Sequence, residues 1–211
     1  MKIIDIDNWK RKEHYNFYKR LDYPHYNICA NIDITKFHKF IKDNDLPFFI
    51  TTIYVVSKTA NDIKEFRYRI RGENVIEHEK VRPAFTIMGD EELFGFCTVD
   101  YFNDFKTFKE NTMIEMKKAK ENISLKDDPS KDDVLYLTSL PWISFTTASH
   151  PISINPVDSI PRIGWGKFFE ENGVIKLPLS VQVHHALADG LHVGKYFQLI
   201  QEIMDNPEKY L

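Results

Sequence analysis

The segment from Leu177 to Gly190, Leu-Pro-Leu-Ser-Val-Gln-Val-His-His-Ala-Leu-Ala-Asp-Gly, constrains this chain more than any other. Its first half is an apolar run of strand length. Its second half closes that strand with two histidines, an aspartate and a glycine before a helical pattern begins. Side chains that do chemistry collect at such junctions, where a rigid element hands over to a loop. An imidazole, with an unperturbed pKa of about 6.5, suits removal of a proton from an alcohol at neutral pH once one tautomer is held. Asp189, four residues beyond His185, either orients that imidazole as a dyad partner or pairs with an arginine and locks the turn. Gly190 predicts a backbone geometry or close approach that a Cβ would obstruct, and His192 reads as structural.

The remaining pattern supplies both layers of an α/β fold. Runs rich in β-branched and aromatic residues predict strands at Tyr26 to Ile34, Arg67 to Ile70, Ala84 to Met88, Phe94 to Val99, Val134 to Leu140 and Val174 to His185. Three- and four-residue spacing predicts core-facing helices through Ile50, Ile53, Tyr54 and Ser57, through Tyr101, Phe105 and Phe108, and through Val193, Phe197, Ile200 and Met204. Helices so unevenly spaced between strands argue for a two-layer fold, a mixed β-sheet with helices packed on it. The chain has 211 residues, 16 Phe and 10 Tyr among them, enough for one domain over residues 1–211 with a substantial core. The charged stretch Glu121 to Asp133, with Pro129 and Ser130, reads as a surface loop.

Charge narrows the partners. With 28 basic and 31 acidic side chains, the formal charge of −3 gives no global field for nucleic acid or an anionic membrane. An anionic ligand must therefore be held by local groups. Cys29 and Cys97 show neither C-x-x-C nor metal-ligand spacing and read as reduced, buried thiols, so no metal is expected. Asp5, Asp7 and Trp9 stand where an export signal would carry basic and apolar residues, and no apolar run reaches membrane-span length, which points to the cytoplasm.

The segment ending His184-His185-Ala-Leu-Ala-Asp189-Gly190 resembles the active-site signature of the chloramphenicol acetyltransferase family, shared more distantly with the acyltransferase core of 2-oxo-acid dehydrogenase complexes. Asn8 to Tyr18 is similar to that family's opening helix and Asn31 to Thr35 to its next strand; Pro83-Ala-Phe-Thr86 and Leu140-Pro-Trp142 match as well. The resemblance implies the CoA-dependent acyltransferase fold, acetyl-CoA as acetyl donor, a small-molecule alcohol as acceptor, and a homotrimer with active sites at subunit interfaces. It implies His185 as general base and a structural bridge from Asp189 to Arg11. The family's oxyanion donor, a serine four residues before the Trp, falls on Thr138, with Ser139 the lesser alternative. A donor of this kind is worth roughly 3 kcal/mol to the transition state.

Lys167 and Phe168 match a lysine-aromatic pair that the family uses at the coenzyme phosphate and adenine, while a second family lysine is replaced by Pro47. Tyr18, Tyr26 and Phe145 are the aromatic candidates for the acceptor wall. Ala148, Ser149 and His150 stand where the family carries bulky apolar residues, Gly164 where it has a threonine, and Arg162 where it has an apolar residue. Chloramphenicol is thus the leading acceptor for a pocket whose lining departs from the family's. The competing readings are a binding or scaffold protein that kept the fold and lost catalysis, against which intact His185, Asp189 and Arg11 argue, and an acetyltransferase for a different alcohol.

Overall fold

A computed structural model describes residues 1–89, 91–126, 128 and 130–211. In chain order the elements are β1 (Lys2–Ile4), α1 (Lys12–Tyr18), β2 (His25–Asp33), α2 (Thr35–Asp43), α3 (Phe48–Asn61), β3 (Tyr68–Arg71), β4 (Asn74–Glu77), β5 (Arg82–Met88), β6 (Phe94–Thr98), α4 (Phe105–Glu121), β7 (Val134–Leu140), β8 (Arg162–Gly166), β9 (Phe169–Glu171), β10 (Val174–His184) and α5 (Gly190–Asp205). The main sheet runs β2-β10-β8-β7-β5-β6, with β9 also on β10. Strands β5, β7 and β8 are parallel and the other pairings antiparallel, so the sheet is mixed. A small sheet, β1-β4-β3, stands apart.

Alternation along β10 explains the layers. Leu177, Leu179, Val181 and Val183 point into the core with the buried faces of α3 and α5, each side chain worth about 1.5–3 kcal/mol of burial. Pro178, Ser180, Gln182 and His184 take the opposite face. Helix α3 is buried on nearly all sides, which is why its β-branched residues do not prevent a helix: packing overrides propensity. Among the described residues no helix is long and apolar enough to cross a membrane.

Several expectations need correction. Tyr101 precedes α4, Arg67 lies in a 3-10 turn before β3, and the helix α4 continues to Glu121, where the surface loop was expected to start. Pro129 lies outside the described residues. Cys97 is buried as expected, but Cys29 is only half-buried, 3.1 Å from Asn27 Nδ2.

Candidate active site

His185 follows the last residue of β10, and two backbone contacts hold it there. Its amide donates to Pro24 O at 2.8 Å, and its carbonyl accepts a long contact from Arg11 Nη2 at 3.5 Å. Its ring is stacked on Tyr18, centroids 3.7 Å apart at 8°, with Tyr26 tilted at 4.6 Å on the other contact. Nδ1 is sealed without a partner among the described residues, which leaves Nε2 as the nitrogen open to a reactant. Tyr18 and Tyr26 therefore flank the imidazole on two sides.

Asp189 settles its own two alternatives by geometry. Its carboxylate meets Arg11 Nη1 at 2.5 Å and caps α5 by accepting from the Leu191 amide at 3.0 Å; His185 is not its partner. Burial pushes this carboxyl up, but the Arg11 hydrogen bond and the charges of His192 and Arg11 outweigh that and hold it down at about 2. His192 Nδ1 lies 2.8 Å from Asp189 Oδ1 and 3.1 Å from the Asp189 amide nitrogen, so its tautomer decides which it bonds; Nε2 faces Glu65 at 3.4 Å. Sequence reasoning missed Glu65, because nothing in its 3-10 turn marks a partner 127 positions away. Gly190 has open space where a Cβ would go and no left-handed φ, so neither predicted constraint exists within the chain.

The other predicted residues gather elsewhere. A cavity of about 1930 Å³, walled by the sheet and by residues of α3 and α4 such as Phe48 and Lys120, is lined by Thr138, His150, Arg162, Lys167 and Phe168, together with aromatics such as Phe94 and Phe96. Phe168, 38% exposed, has Phe48 and His38 as ring neighbours at 5.5 and 5.1 Å. Arg162 is buried against Asp158, donates to Ile160 O at 3.0 Å and lies 5.1 Å over the Tyr136 ring. Phe145 and Ala148 do not line this cavity: Phe145 packs on Gly166, and Ala148 presents its carbonyl to Asn27 Nδ2 at 2.8 Å.

Strand register separates the two groups. Ser180 of β10 lies opposite Gly164, and Gly164 opposite Thr138, so Thr138 is two strands, about 10 Å, to the side. His185 is five positions past Ser180, about 17 Å along the strand direction, which puts the two residues on the order of 20 Å apart. A base and an oxyanion donor acting on one carbonyl must each come within about 3 Å of neighbouring atoms. One chain's His185 and Thr138 cannot do so together.

Beside His185, His184 is buried, accepts from the Ala186 amide at 3.2 Å and meets His25 of β2 ring to ring at 5.0 Å. Burial pushes His184 down to about 3, with His25 adding to the effect, and burial pushes His25 and His150 down as well. All three are held neutral in the fold. Their contribution is therefore complete above the unfolded pKa of about 6.5 and is lost as pH falls towards the folded values. Between about pH 6.5 and 4.5, stability is expected to drop by up to ~1.4 kcal/mol per pH unit through His184, whose folded value of about 3 lies below that window, with His25 and His150 acting in the same direction. Denaturant titrations across that window check this, and an unchanging midpoint would contradict it.

The family profile of chloramphenicol acetyltransferase matches residues 1–201. The chain is 30% identical over 212 residues to the chloramphenicol acetyltransferase of Bacillus pumilus, covering 100% of this chain and 96% of that protein. It is 33% identical over 211 residues to that of Staphylococcus aureus, covering 99% and 97%. A solved structure of a chloramphenicol acetyltransferase superposes with a TM-score of 0.86 at 25% identity, over 97% of this chain and 100% of that one.

Proposed function

The chain belongs to the chloramphenicol acetyltransferase family, and from that premise we propose that His185 takes a proton from an alcohol while acetyl passes from acetyl-CoA to the alcohol oxygen. The observation that carries this reading is the held imidazole, stacked on Tyr18 and flanked by Tyr26 with Nε2 open, at a turn that Arg11 ties to α5. His185 Nε2 removes the hydroxyl proton as the oxygen attacks the thioester carbonyl. Thr138 Oγ1 donates a hydrogen bond to the carbonyl oxygen as it gains negative charge. His185 then returns its proton to the departing sulfur, so that the ester and free CoA leave and the base is restored. No residue is acetylated on this route.

The cavity suits a polyanionic acetyl donor. Arg71 and Arg162 are paired with Asp132 and Asp158, while Lys120, Lys126 and Lys167 also line it and make no salt bridge among the described residues. On a chain of net charge −3, these three ammonium groups are a local attraction for phosphate. Lys167 serves a phosphate and the half-exposed Phe168 ring, flanked by Phe48 and His38, covers the adenine.

The separation of His185 from Thr138 supports a homotrimer in which the base of one copy reaches the donor of the next, each copy contributing one acetyltransferase domain over residues 1–211. Met88, Phe94, Phe96 and Trp142, all exposed on or beside the cavity face, are apolar surface for that contact. Dependence on acetyl-CoA and two unbonded cysteines fit work in the cytoplasm. Chloramphenicol is the leading acceptor. A thiol-release assay tests the reading: free CoA is expected to appear from acetyl-CoA when chloramphenicol is added and to stay at background without an alcohol. Background release with chloramphenicol and with a panel of other alcohols would refute it.

A further inference from the structure

Ser180 and Gln182 are polar interruptions of an apolar strand, and the helical core makes no use of them. They face the cavity side, where they clamp a loop. Gln182 Oε1 accepts from the His150 amide at 2.9 Å, and its Nε2 makes a long contact to His150 O at 3.5 Å. Asn27, directly across from Gln182 in the β2–β10 pairing, donates to Ala148 O, and Ser180 Oγ donates to Asn27 Oδ1 at 3.2 Å. Gln182 and Ser180 are buried, so these bonds are shielded from water and costly to break. The clamp has one visible product, the placement of His150.

The Cε1–Nε2 edge of the His150 imidazole lies against Gly164, where a Cβ would sit 3.2 Å from both atoms and 3.6 Å from Thr138 O. Gly164 thus makes room for the ring, and the ring stands beside Thr138, at the reacting end of the cavity. Nε2 is sealed without a partner, so Nδ1 is the nitrogen a ligand in the cavity can reach. We propose that His150 is the specificity-determining residue of the acceptor site, selecting alcohols that carry a second hydroxyl close to the reacting one, and that Gln182 is its positioning residue. The inference rests on the acetyltransferase reading above. A buried ring next to the Arg162 guanidinium stays neutral, and a neutral imidazole offers Nδ1 as either donor or acceptor. Only a hydroxyl satisfies both tautomers; a carboxylate satisfies one, and an aryl edge neither.

Matched acceptors test this: chloramphenicol against 1-deoxychloramphenicol, and butane-1,3-diol against butan-1-ol, each with acetyl-CoA. The wild-type enzyme is expected to favour the diol in kcat/KM by about tenfold or more, and His150→Leu to bring the ratio near one. Gly164→Ala, which pushes on the ring, and Gln182→Leu, which frees the loop, are expected to erode the same ratio through the acceptor KM while leaving the acetyl-CoA KM in place. A merely structural Gln182 would lower kcat for both alcohols alike and keep the ratio. A preference that survives His150→Leu, or a wild-type enzyme indifferent to the second hydroxyl, overturns the proposal. Release of no CoA with any of the four alcohols sinks the transferase reading itself, and this inference with it.

Discussion

Turnover by His185→Ala is expected to fall by about 10²- to 10⁴-fold or more, with the fold and the affinity for acetyl-CoA nearly unchanged. The loss is large because neither Asp189 nor Tyr26 can take the proton instead: Asp189 is engaged by Arg11 and the start of α5, and Tyr26 is pushed by burial well above its ordinary range. The fold survives because His185 is held through its backbone, by Pro24 and Arg11, and both contacts persist in alanine. The stacking with Tyr18 is lost, which costs on the order of 1 kcal/mol. His184→Ala should behave in the opposite way, losing stability first, since His184 is 3% exposed and supports the turn through the Ala186 amide. Steady-state kinetics beside denaturant unfolding separate the two. A His185→Ala enzyme near wild-type turnover, with a dead but folded His184→Ala, would mean the base is the other histidine.

Mixed assemblies give the second large effect. His185→Ala and Thr138→Ala are each expected to be nearly inactive, the latter by about 10²- to 10³-fold through loss of the oxyanion donor. Co-expressed with different affinity tags and purified through both, the two variants give assemblies that contain each kind of chain. In a closed ring whose sites take Thr138 from one copy and His185 from the next, each mixed trimer holds one whole site in three, so about a third of wild-type turnover should return. Were base and donor supplied by the same chain, every site would carry a lesion and nothing would return. A mixture no more active than its parents would therefore remove the shared site, and with it the meaning given to the 20 Å-scale separation read from the strand register.

Much of this protein is legible in one dimension because the forces concerned are local. The alternation along Val174–His184 is a consequence of pleating, and it marks which side of the strand meets the helices. The turn chemistry of Asp189, an N-cap at the start of an amphipathic helix, is written in neighbouring residues, and so was the presence of an imidazole pair at a strand end. Strand β7 is legible for the same reason, as a short run of aliphatic residues with Val134, Tyr136 and Thr138 among them.

Tertiary structure decided the rest. Strand β8, Arg162-Ile-Gly-Trp-Gly166, is hard to see in the sequence because two glycines and an arginine weaken any strand pattern; two of its outward positions are glycine because His150 lies against Gly164, and Ile143 and Phe145 against Gly166, contacts made from an earlier loop. Tyr18 and Tyr26 stand out in the sequence as aromatic, but their partner is set by how α1 and β2 fold back onto the end of β10, and that partner is His185. Gln182 reads as a stray polar residue until the loop it clamps is in place. Composition and periodicity speak of faces and ends, whereas contacts between distant segments are fixed by the packing of the whole sheet. For that reason the chain's sequence determined which side chains are the candidates for chemistry, and the fold alone determined that His185 and Thr138 stand too far apart to serve one reaction in one copy.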